Sequence, residues 1–188
     1  MTLEPPSVEQ DNAPQGHSTI LALYALLGIS MVLSVAPNIW AALMSFVLFF
    51  VVLIAAYVVR GDAETYSLKH NHATFVIRTL WISAFFSILT TIAATAYMMS
   101  GIDYTPFEPC AESLANQGLT WLERAGPMEI YELVEPCSQN FVDTNRTLFI
   151  NAIIIAGGPI LVYMFYRIIK GLARAIRGYR LANPREWF

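Results

Sequence analysis

Four runs of apolar residues, Ile20–Val35, Ile39–Val59, Phe75–Met99 and Phe149–Ile169, alternate with polar connections along the chain. A helix rises about 1.5 Å per residue, so crossing a hydrocarbon layer about 30 Å thick takes roughly 20 apolar residues. The pattern therefore predicts four transmembrane helices, the first being the shortest. The first two runs meet at Ala36-Pro37-Asn38, where proline cannot extend a helix and asparagine accepts turn geometry. One broken helix competes with a tight helical hairpin. The hairpin is preferred, because a single span would need roughly forty apolar residues, about twice what the bilayer holds.

The segment 100–148 has a different rhythm. Ala111 to Arg124 reads as a helix carrying Leu114, Leu119, Trp121 and Leu122, ended by Gly126-Pro127. Pro127 suits the first turn of a second helix, with Met128, Ile130, Tyr131 and Val134 following. Beyond the fourth run, Ile168, Leu172 and Ile176 make one stripe while Lys170, Arg174 and Arg177 occupy the other sides. That pattern predicts an interfacial helix, apolar side in lipid and cations towards anionic headgroups, closed by Gly178 and an aromatic terminus of Trp187 and Phe188. The expected fold is all-α and polytopic. It comprises a disordered tail (1–18), transmembrane helices 1–3 (19–99), an external cap (100–148), transmembrane helix 4 (149–170) and a basic interfacial segment (171–188).

Composition agrees with the pattern. Of 188 residues, 56% are hydrophobic and 13% charged, against roughly 25% charged in a soluble domain. Glu4, Glu9 and Asp11, with no Lys or Arg in the first eighteen residues, are the opposite of a cationic signal-peptide start. Pro5, Pro6, Pro14 and few apolar groups leave that tail little to bury against the entropy of ordering.

Charge sets an orientation. The link between the second and third runs has Arg60 and Lys69, and Arg78 lies just inside the third. Arg167, Lys170, Arg174, Arg177, Arg180 and Arg185 close the chain. Segment 100–148 has Arg124 and Arg146 against eight acidic residues, a net of about −6. The positive-inside bias then puts both termini in the cytoplasm and segment 100–148 outside. Both cysteines fall in that segment, in the tripeptides Glu108-Pro109-Cys110 and Glu135-Pro136-Cys137. An oxidising compartment favours a Cys110–Cys137 disulfide, which would clamp the ends of a helical hairpin. A metal site would need further ligands, and the segment contains no His.

Several positions invite a sharper reading. Thr79, Ser83, Ser87, Thr91 and Thr95 follow one another at four-residue steps. Such a row predicts a helix-packing seam, with a polar conduction path as the less favoured alternative. Arg78, Lys170, Arg174, Arg177 and Trp187 are expected at lipid headgroups, the cations snorkelling from helix ends. His70 and His72 point to different helix faces, which disfavours joint metal ligation; lipid phosphate or a neighbouring loop is the more natural partner. Gly157-Gly158-Pro159 predicts a kink and close helix packing in the fourth span. Asn145-Arg146-Thr147 matches a glycosylation sequon that recurs by chance, and it lies close to the membrane.

The run His72-Ala-Thr-Phe-Val-Ile-Arg78-Thr79-Leu80-Trp81 and the closing Tyr163-Met-Phe-Tyr166-Arg167-Ile-Ile-Lys170-Gly171-Leu172, with Pro184 and Trp187, resemble the signature of small bacterial inner-membrane proteins sometimes called Tic20-like. The resemblance makes His72, Arg78, Trp81, Arg167, Gly171, Pro184 and Trp187 signature positions. It brings no reaction, cofactor or ligand. The long cysteine-bearing loop departs from the short connection of that group.

With no recognisable catalytic constellation, phosphate loop or metal cluster in the sequence, the expected function is a non-enzymatic accessory or scaffold protein without a cofactor. Its expected partners are membrane lipids and another membrane or periplasmic protein, met through the third helix and the external cap. A small oligomeric transporter or channel and an immunity or receptor-like protein are the alternatives. Nucleic acid is a poor partner, since the basic residues abut a membrane span.

Overall fold

The computed structural model describes residues 16–118 and 124–187. Helix α1 spans His17–Ser34, α2 Ile39–Gly61, α3 Leu68–Gly101, α4 Glu108–Gln117, α5 Pro127–Thr144 and α6 Arg146–Ile176, with a 3₁₀ turn at Thr105–Phe107. No strand occurs among the described residues. Helices α1, α2, α3 and α6 are each long and apolar enough to cross a membrane. The protein is an all-α, multi-pass membrane protein with a disulfide. The N-terminal residues to 15, Leu119, Trp121, Leu122 and Phe188 lie outside the described residues.

Two compact units divide the chain, one formed by Met1–Ile88 with Pro159–Phe188 and the other by Leu89–Gly158. In the first, α1 and α2 form the tight hairpin. Asn38 caps α2, its side-chain oxygen accepting from the Trp40 N–H at 2.8 Å. Ser30 and Ser45 exchange hydrogen bonds between the two helices, each hydroxyl donating to the other's carbonyl at 3.1 and 2.8 Å. The core of this unit gathers Ile20, Leu23, Tyr24 and Leu27 with Val52, Ala56, Phe75, Val76 and Leu80. The opposite side of α2 exposes Trp40, Phe46, Phe50 and Ile54. Apolar exposure of that kind on a spanning helix is the surface that lipid covers.

Helix α6 continues through Ile176 as one element of 31 residues, so the basic stretch supplies its last turns and not a separate helix. Ile168 and Leu172 pack against the core cluster, and Gly171 and Ala175 are buried, while Ile176 is exposed. The apolar stripe thus meets protein over most of its length. The helix ends in a Schellman motif. Gly178, at φ +71°, donates to Ala175 O and Tyr179 N donates to Arg174 O, each at 3.0 Å. That turn sends residues 179–187 back as a non-helical segment.

In the second unit, Cys110 and Cys137 are joined, with Cα atoms 6.2 Å apart. Phe107 and Tyr104 pack on Phe141, which also meets Phe149. Two expectations need correction. The helix anticipated to Arg124 ends at Gln117, because Gly118 takes φ +79°, a conformation that side-chain-bearing residues avoid. Helix α5 opens at Pro127 but continues past Pro136 and Cys137 to Thr144. The second cysteine therefore clamps the middle of its helix. Gly126 N–H donates to the Glu129 carboxylate at 3.0 Å, which closes the start of α5.

Asn145, buried between α5 and α6, accepts from Asp103 N at 2.9 Å and donates to Asp103 O and Phe141 O. Its amide nitrogen is committed to structure, which removes the sequon's appeal. Nor does any other described helix press on Gly157 or Gly158. A Cβ at Gly157 would meet nothing within 4 Å, and one at Gly158 would meet only Ile154 of the same helix at 3.8 Å. Near that site Thr90 Oγ1 donates across to Ala156 O at 2.8 Å, the kind of side-chain bond that supports a proline-interrupted membrane helix.

Candidate functional site: a buried polar cluster beneath the C-terminal segment

The four-residue row on α3 is the starting point. Each step of four residues turns a helix by about 400°, so the row drifts by about 40° per step and by roughly 160° from first to last. Thr79 and Ser83 are buried, Ser87 is half-buried, and Thr91 and Thr95 are exposed. The seam is inward at one end only. Thr79 and Ser83 each donate to the carbonyl one turn earlier, at 2.8 and 2.7 Å. Ser83 also meets Met164 Sδ at 2.8 Å.

Thr79 Oγ1 in turn accepts from Arg167 Nε at 3.0 Å. Arg167 is fully buried, which sequence reading missed by counting it among the flanking cations. Its guanidinium lies 3.6 Å from the centroid of the Phe75 ring, and Nη1 donates to Glu186 O at 2.9 Å, while Nη2 points at Phe75 O at 3.5 Å. The only ion pair among the described residues is Lys170–Glu186, at 3.9 Å. The Arg167 charge is thus held by carbonyl dipoles, a hydroxyl and an aromatic face. Such a cation is costly to bury and persists only with its hydrogen-bonding capacity met.

His72, also fully buried, stands nearby on α3. Its Nε2 lies 3.0 Å from Tyr179 O and its Nδ1 3.0 Å from the Tyr24 hydroxyl. A carbonyl can only accept, so Nε2 carries the proton and Nδ1 accepts from Tyr24. Both ring nitrogens are occupied, and neither is open to a metal. Among the described residues no group of three His, Cys, Asp or Glu side chains is placed to hold an ion. Tyr24 packs close against Gly171, where a Cβ would collide with its ring and hydroxyl.

Asn71 completes the cluster. Its Nδ2 donates to Leu181 O at 3.0 Å and its Oδ1 accepts from Leu181 N at 2.8 Å. Arg78, expected at lipid headgroups, is half-buried and donates from Nη2 to Arg185 O at 3.0 Å. Its buried Nε has no partner among the described residues. Together Asn71, His72, Arg78 and Arg167 bond to the main chain of the returning segment at Leu181, Tyr179, Arg185 and Glu186. This arrangement reads backbone and holds it.

The other positions singled out in the sequence are distributed around this cluster. Arg174 donates to Arg180 O at 3.2 Å, Arg177 is exposed, and Lys170 lies 5.4 Å from the Tyr166 ring. Trp81, exposed, donates to the Tyr57 hydroxyl at 3.1 Å. Trp187 is about half exposed and stands edge-on to Phe86, and Pro184 is half-buried. The signal for Arg167 was present in the sequence. Met164, Arg167, Gly171 and Ala175 share one face of α6, and two small residues on a face with Arg mark it as turned inward. No protein-family model, curated protein or solved structure matches the chain.

Proposed function

We propose that the protein is a non-enzymatic accessory or scaffold subunit of a bacterial inner membrane. In this reading both termini are cytoplasmic, the stapled cap is periplasmic, and the chain binds another membrane protein through the outer half of the α3 row. The likeness to the Tic20-like group belongs to the same proposal.

The observation that carries it is the division of that row. Thr79 and Ser83 are consumed inside the molecule, whereas Thr91 and Thr95 are exposed, as are Ile88 and Ile92 near them on the helix. Small hydroxyl residues on a spanning helix let a second backbone come close and supply bonds across the contact. The polar cluster supports the non-enzymatic part, since Asn71, His72, Arg78 and Arg167 each direct a donor at a carbonyl of the chain's own returning segment. Photo-crosslinking from residue 91 or 95 in native membranes tests the assignment. A single protein adduct of defined mass is the expected outcome; adducts to lipid alone would overturn it. An adduct of twice the chain mass would favour the second reading, an oligomeric transporter built around the same face.

A further inference from the structure

Two guanidiniums grip the returning segment at consecutive carbonyls. Arg78 Nη2 donates to Arg185 O at 3.0 Å and Arg167 Nη1 to Glu186 O at 2.9 Å. Two positive charges are thereby brought together in the first unit, and they repel each other. Neither has a carboxylate. The one ion pair among the described residues joins Glu186 to Lys170 at 3.9 Å, and Arg185 adds an exposed cation. Arg78, Arg167, Lys170 and Arg185 against Glu186, four cations and one anion, leave a net charge of +3.

The two guanidiniums differ in what remains open to a ligand. Arg167 is fully buried, with Thr79, Phe75 and Glu186 around its fork. Arg78 is half-buried and uses one donor, on Arg185 O, while its buried Nε has no partner among the described residues. A partly desolvated cation with unused donors and no counter-charge is unfavourable. An acceptor that brings negative charge to its open side relieves this more than water does. The guanidinium fork sets two N–H groups against two oxygens of one oxyanion. Arg78 also lies on a helix long and apolar enough to cross a membrane, with the exposed Trp81 one turn on. The oxyanion that lines a bilayer surface is phosphate.

We propose that the open side of Arg78 is a phosphate-type oxyanion site, with the charge of Arg167 behind it. Phospholipid headgroups and free inorganic phosphate present the same oxygens, and the test separates them. The full, disulfide-intact chain in detergent is titrated with short-chain phosphatidylglycerol and, separately, with inorganic phosphate, and read by calorimetry and native mass spectrometry. One bound phosphate group per chain is expected. Phosphatidylglycerol that stays bound in millimolar inorganic phosphate assigns the headgroup as the source; inorganic phosphate that binds alone and displaces the lipid assigns the free anion. Arg78→Gln should weaken binding about tenfold, through loss of a charge-assisted bond. Arg177→Gln, which removes an exposed cation outside the cluster, should leave it unchanged. Leu181 amide protection reports that each variant is folded. If Arg78→Gln loses that protection, Arg78→Lys takes its place; it keeps the charge without the fork and should weaken binding about threefold. No bound phosphate from either source, equal binding by the folded Arg78 variant, or an equal loss in Arg177→Gln would overturn the proposal.

Discussion

In the unit of Met1–Ile88 and Pro159–Phe188, a non-helical stretch is held by buried side chains that bond to its main chain. In the unit of Leu89–Gly158, the irregular backbone is held by a covalent bond, an aromatic cluster around Phe141 and one buried asparagine. The contrast follows from what surrounds each segment. Tyr179–Trp187 returns over helices with a large apolar core, where an unpaired carbonyl is expensive and a buried donor is correspondingly valuable. Segment 102–145 has few apolar residues to bury and many acidic ones on its surface. A cross-link that limits the unfolded chain stabilises such a small cap where packing alone would not.

The sharpest way to break this contrast is Arg167→Met. It strands the Glu186 carbonyl and removes the donor to the Thr79 hydroxyl, and a loss of roughly 3 to 5 kcal/mol is expected from a broken buried network. Thermal unfolding in detergent measures it, and protease should then cut within residues 179–187. Arg167→Lys should recover little, because a point charge cannot span the three acceptors that the guanidinium fork reaches. Next in size is Cys110→Ser with Cys137→Ser. For a sequence separation of 27 the chain-entropy estimate is about 3 to 4 kcal/mol. The contrast requires the loss to appear as faster hydrogen exchange in α4 and α5 with tail protection unchanged.

Gly171→Ala should cost about 1 to 3 kcal/mol through overpacking against Tyr24. In a double-mutant cycle, Tyr24→Ala should absorb part of that loss, as expected for residues in contact. The smallest effect belongs to Asp103. The Thr105 backbone N–H, donating to its carboxylate at 2.9 Å, holds its pKa below the ordinary carboxylate value. The folded pKa is depressed, so this contribution is present above the ordinary carboxylate range and is lost as pH falls through the lowered value. Amide exchange at Thr105 should quicken over that acid interval while exchange at Leu181 does not.

The two units also differed in how much their sequences disclosed. The spans, the hairpin at Asn38, the start of α5 at Pro127 and the cysteine pair were legible because each depends on local pattern or on a single compartment argument. Gly118 carried a stop signal, but Leu119, Trp121 and Leu122 continued the apolar rhythm past it. The drift of the Thr79–Thr95 row was computable from the helical repeat alone. What no local pattern could supply was the return of the tail. Asn71 and Leu181 are separated by 110 positions, and a Lys and Arg count reads any cation near a helix end as headgroup-facing. Arg78 is therefore expected at lipid although it bonds to the tail, and Arg167 is counted among the flanking cations although it is buried.

Native-state hydrogen exchange at the Leu181 amide tests the tail-holding cluster most directly. Leu181 lies outside every helix, yet its N–H is buried and bonded to Asn71 Oδ1. Strong protection, comparable with the α3 core and lost in Asn71→Ala and Arg167→Met, is the predicted result. Exchange as fast as that of the exposed Arg180 and Ala182 amides would contradict it.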